Sequence, residues 1–127
     1  MNIKELHDKA MELAALADMQ KMQENKEYAM SLYEESYSLE YEAAMNAFNA
    51  QIGEPSVSVL LRSAATLAIT CKRVREAEIL IALALSGEPP WEIGEELRKI
   101  RDNLNLYRRF EVKSAVFSEM TREAVVI

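Results

Sequence analysis

His7 is the one histidine of the sequence, so general acid or base catalysis near neutral pH would have to start from it. It stands among Lys4, Glu5, Asp8 and Lys9, and no partner or pocket for it is evident in the pattern, so it reads as a solvated surface histidine. Glu34, Glu35, Glu40 and Glu42, with Tyr33, Tyr37 and Tyr41 between them, invite a carboxylate metal site. Di-metal bundles place a Glu and a His three apart on two helices, and that motif is missing, so a solvated acidic face is the reading. No histidine lies downstream of Ser56, Ser58 or Ser63, which counts against a hydrolase triad. There is no Gly-rich phosphate loop with a following Lys. Cys71, the single cysteine, lies on an apolar stripe and reads as a small buried hydrophobe. Met11, Met19, Met22, Met30 and Met45 suggest either an adaptable binding groove or core filling, and core filling is the simpler expectation. The sequence thus offers no catalytic residue, no metal ligand set and no cofactor site.

The elements that would position these residues are helices. In the stretch from Glu54 to Leu104, the residues Val57, Leu60, Leu61, Ala64, Leu67, Ala68 and Cys71 recur at three and four, the period of one helix face. Lys72 and Arg73 interrupt it. From Val74 a second helix contains the unbroken apolar run Ile79 to Leu85, which predicts burial on more than one side, with Ile81 and Leu83 at the centre of the core. Gly87 is expected to end this helix in the left-handed conformation, and Pro89 and Pro90 to start the next. Ala64, Ala65, Ala68, Ala77 and Ala84 are small where two helices would approach closely. With Pro89 as a terminal proline, this hairpin resembles a tetratricopeptide-repeat unit of about 34 residues. Ala77 and Ala84 then take its two small positions and Val74 replaces an aromatic. The aromatic and glycine marks of the first helix are missing, with Leu61, Ala65 and Ala68 instead, and Lys72 stands where the turn has a small residue. The stretch is also similar to small uncharacterised all-helical bacterial proteins of the repeat and HEPN-like classes. The Arg, polar and His arrangement of HEPN ribonucleases is missing, so that resemblance does not imply their activity.

Upstream, Ile3, Leu6, Ala10, Leu13, Ala14 and Ala17 predict a helix from Ile3 to about Gln23. Asn25 is placed to cap a second, longer helix with the stripe Ala29, Tyr33, Tyr37, Ala44 and Phe48, reaching about Ala50. Downstream, Ile93, Leu97, Ile100, Leu104 and Tyr107 are spaced four, three, four, three, like the seam of a coiled coil. With Arg108 and Arg109 they form the expected partner-binding surface. After Asn105 the pattern weakens, and RRFEVKSAVF fits a short strand or further helix.

Half of the 127 residues are hydrophobic, enough for the core of one domain. Four basic residues face eleven acidic ones up to Glu54, four face six over 55–97, and seven face four over 98–127, so the front is acidic and the end basic within a net charge of -6. The basic group is Arg98, Lys99, Arg101, Arg108, Arg109, Lys113 and Arg122, interleaved with Tyr107 and Phe110. The interspersed acids make nucleic acid the disfavoured partner. Charges inside the first apolar pattern exclude a signal peptide or membrane anchor as its reading, and the cytoplasm is the expected location.

These observations predict a single all-α domain over 1–127, TPR-like, with about five helices. A first hairpin covers 3–51, a second 56–86, a C-terminal helix 90–106, and residues 107–127 are left as a tail. The expected function is a non-enzymatic scaffold for protein binding or self-association, with a homodimer as one form. A nucleic-acid-associated HEPN-like module, the accessory or inactive member of a toxin and antitoxin pair, is the alternative.

Overall fold

The structure, a computed structural model, describes the backbone of residues 1–126 and the side chains of residues 1–109. It is all-helical, with α1 over Ile3–Met22, α2 over Lys26–Asn49, α3 over Ser56–Thr70, α4 over Val74–Ser86 and α5 over Trp91–Val126.

Each helix end has a local cause. Asn2 caps α1 in a reciprocal box: its Oδ1 accepts from the Glu5 N–H at 2.8 Å, and Glu5 Oε2 accepts from the Asn2 N–H at 3.3 Å. Glu24 turns the chain with φ 62°, and Asn25 takes the cap position of α2. Its side chain makes no capping bond there; Nδ2 donates instead to Gln20 on α1. Gln51 and Gly53, both at positive φ, reverse the chain between the hairpins. Glu54 Oε2 then accepts from the Ser58 N–H at 3.4 Å, a weak cap for α3. Lys72 at φ 61° forms the α3–α4 turn, in the left-handed region that costs an ordinary side chain about 1 kcal/mol or more. Gly87 does not take that conformation. It is extended at φ -90° and ψ -151°, and the helix stops because Pro89 and Pro90 follow.

The helices pack in chain order, α1 on α2, α2 on α3, α3 on α4 and α4 on α5, with α3 also touching α5. Alanine makes the close approaches: Ala10, Ala17, Ala43, Ala44, Ala47, Ala64, Ala65, Ala68 and Ala77 are all fully buried. Leu6, Leu61, Leu80, Ile81 and Leu97 are the large apolar side chains buried among them. The expected burial of α4 on more than one side is corrected by the structure. Leu80 and Ile81 lie inside, Leu83 is only partly buried, and Ile79 is 51 % exposed. An apolar run that long marks a helix with an uncovered apolar side here, not an all-round core helix.

The C-terminal helix is the larger departure. It was expected over 90–106, and the helical backbone continues through Val126, so the strand alternative for RRFEVKSAVF falls away. At 1.5 Å per residue, 36 residues span about 54 Å, while the 13 residues of α4 span about 20 Å. Running back along α4, α5 passes its first turn about 13 residues after Trp91. Leu104 is the last buried residue described, and Leu106 and Tyr107 are exposed.

Candidate functional site

The interior polar network is the first feature that sequence reading missed. Glu40, expected on a solvated face, is fully buried on the inner side of α2. Both its carboxylate oxygens lie 2.9 Å from His7 Nδ1 of α1, and Oε2 accepts the Ser63 hydroxyl of α3 at 2.5 Å. His7 is therefore no freely solvated side chain, although 34 % of it remains exposed. One carboxylate ties three helices together, which satisfies the rule that a buried charge must be paired and hydrogen-bonded. The position of His7 upstream of the serine did not keep the two from sharing a network. The order within it is nevertheless wrong for a nucleophile, because Ser63 donates to the carboxylate and not to the imidazole. Sequence patterning misplaces Glu40 because it stands among carboxylates that do face water, such as Glu35 and Glu42.

A second network crosses from α2 to the start of α4. Arg73 binds Glu34 at 2.8 Å and Glu76 at 3.2 Å, and its guanidinium carbon lies 5.5 Å from the centre of the Tyr37 ring. The Tyr37 hydroxyl donates to Glu76 at 2.6 Å. Burial, then the Glu76 carboxylate, pushes the Tyr37 phenol well above its ordinary value. The Glu34 and Glu76 carboxylates hold Arg73 above its ordinary value as well. The neighbouring Cys71 is buried, and burial, followed by the charge of Glu34, raises its thiol to about 11, as an inert hydrophobe requires. A cavity of about 370 Å³ lies beside Arg73, between Glu34, Tyr37 and Tyr41, and the ion pairs already occupy its charged groups. Among the described residues no three His, Cys, Asp or Glu side chains are grouped to hold a metal ion.

A concavity of about 900 Å³ lies in the corner where α5 passes the α3–α4 turn. Ile69, Val74, Ile100, Leu104 and Tyr107 make its apolar floor, and Lys72, Arg75 and Asn103 its polar edge. Three seam residues predicted to bind a partner, Ile100, Leu104 and Tyr107, thus meet there. The other four do not. Leu97 is fully buried against the hairpin and belongs to the core, and Ile93 is half-buried beside it. Arg108 reaches back to Glu78 of α4 at 2.5 Å, and Arg109 is exposed outside the groove. Two others of the basic concentration are also matched by carboxylates, Arg98 by Glu95 at 2.6 Å and Arg101 by Asp102 at 3.6 Å. Ile69, Val74 and Arg75 were missed, since the groove depends on how far α5 overshoots α4. Lys72 did carry a signal, as the one charged residue in a turn position that favours small ones.

The methionines divide differently from expectation. Met11 and Met45 pack against the core, whereas Met19, Met22 and Met30 are exposed around the α1–α2 turn. Among the described residues no helix is long and apolar enough to cross a membrane. No family model, curated protein or solved structure matches this chain.

Proposed function

We propose that this chain is a non-enzymatic helical scaffold that binds another protein or a second copy of itself, and that the contact is made in the groove between α5 and the α3–α4 turn. The observation that carries the reading is the groove itself, an apolar floor that includes Tyr107, open to solvent and edged by Lys72 and Arg75. Water is poorly accommodated on such a surface, and covering it is favourable at about 25 cal/mol per Å² of apolar area. Tyrosine and arginine are among the side chains that most often dominate binding energy where an apolar patch is covered. The buried His7–Glu40–Ser63 network supports the non-enzymatic part of the reading: its carboxyl group is used to join three helices, and Ser63 donates to it and not to the imidazole. The repeat-like form of the second hairpin and a cytoplasmic setting belong to the same proposal.

Affinity capture from the native host tests it, with the full chain compared with an Ile69→Asp/Tyr107→Asp variant of unchanged helical content. A discrete protein retained by the wild type and lost by the variant is expected. Identical retained material from both, or nucleic acid released steeply with salt in place of protein, would contradict it.

A further inference from the structure

We infer that the partner segment seated in this groove is an acidic amphipathic helix, an inference that rests on the scaffold reading above and names the chemistry of its partner. Most described Lys and Arg side chains lie beside a carboxylate, as Lys4, Lys9, Arg62, Arg73, Arg98, Arg101 and Arg108 do. Lys21, Lys26, Lys72, Arg75, Lys99 and Arg109 have no such partner among the described residues, and the first four line two adjoining cavities at one end of the bundle. Lys72 and Arg75 edge the large groove. Lys72 also borders an adjoining cavity of about 270 Å³, whose other charged lining residues are Lys21 and Lys26. Among the described residues no carboxylate lines either cavity, in a chain whose net charge is -6. Of the carboxylates near in sequence, Glu76 holds Arg73 and Glu78 binds Arg108, while Glu24 and Glu27, which flank Lys26, are not among the described residues lining either cavity.

The occupant must therefore cover an apolar floor and bring negative charge to Lys72 and Arg75. A bare polyanion fails the first condition, and a neutral apolar segment fails the second. A helix suits the groove better than an extended segment. The described residues form no sheet edge that would satisfy the backbone of an added strand, whereas a helix satisfies its own and presents side chains at three- and four-residue spacing. Charges around such a floor set orientation and reject partners of the wrong sign.

The test is selection of 16-residue helical peptides from a randomised displayed library on the full chain. The expected pool carries apolar residues at helical spacing with flanking Glu and Asp. Fluorescence anisotropy should show the selected peptide binding at least tenfold more tightly than its copy with every acid changed to Lys. A Lys72→Glu/Arg75→Glu variant should reverse that preference, and Lys72→Arg/Arg75→Lys should keep it, circular dichroism showing all three chains equally helical. Selected peptides without acidic bias, or with a bias that the charge reversal leaves unchanged, overturn the inference while leaving the groove as a protein-binding surface. A polyglutamate peptide binding as tightly as the selected one overturns it as well, by showing an anion patch alone. A library that yields no groove-dependent peptide overturns it too, and host capture by the Ile69 and Tyr107 variant then decides the scaffold reading separately.

Discussion

Glu40 places a carboxyl group in the interior, where His7 and Ser63 hydrogen-bond it from two other helices. Removing His7 leaves a fully buried carboxyl group with Ser63 as its one remaining side-chain partner among the described residues. Loss of that hydrogen bond to a buried acceptor is expected to make His7→Ala cost about 1–3 kcal/mol. Urea denaturation at neutral pH measures it, and a cost under about 0.5 kcal/mol would show that the network is not structural. The two buried tyrosines predict an alkaline limit. The Tyr33 phenol, donating to Asp18 and buried, is pushed from its ordinary 10.0 to about 12, and Tyr37 is raised further. Both hold their protons to higher pH in the folded chain than in the unfolded one. The stability they contribute is thus complete below pH 10 and is lost as pH climbs through 10 toward 12. The Tm should fall across that window, and the Tyr33→Phe/Tyr37→Phe double variant should fall less steeply. An equal fall in both chains would remove the phenols as the cause.

The elements were largely legible because helix periodicity and the Pro pair are local signals. The 3.6-residue stripes locate α1 to α4 to within a few residues, and Asn25 and Pro90 stand at their expected ends, while the Asn2 cap of α1 was not foreseen. What was not legible is which face of an apolar helix meets a neighbour. The run from Ile79 to Leu85 contains no polar residue to mark the outside, so Leu83 was expected where Leu80 is found. Nor could a weakened apolar pattern after Asn105 show that the backbone of α5 stays helical. The difference is measurable. Ile81→Ala should cost about 2–5 kcal/mol, and Leu83→Ala should fall near the bottom of that range or below it. Equal costs in chemical denaturation would place Leu83 in the core after all.

For the whole molecule, the imbalance between a long α5 and the short hairpin beside it is the central fact. It opens the groove, and it leaves Leu106 at 63 % exposure and Tyr107 at 51 %, beyond the last buried residue among those described. The candidate site was half legible for the same reason: Ile100, Leu104 and Tyr107 belong to a visible seam, whereas Ile69, Val74 and Arg75 join them only through packing. A two-fold dimer would bring the basic end of one copy beside the acidic first hairpin of another. Sedimentation equilibrium at tens of micromolar on the full chain and on a chain ending at Asn105 is expected to show a dimer that truncation abolishes. A monomer in both would leave a different protein as the partner. The scaffold reading as a whole is tested most directly by photo-crosslinking in the host cell, with a benzophenone amino acid replacing Tyr107 in the groove or Glu35 on the exposed face of α2. A discrete protein adduct from position 107, at twice the chain mass if the partner is a second copy, and none from position 35 is the predicted result. The same adducts from both positions, or adducts from position 35 alone, would contradict it.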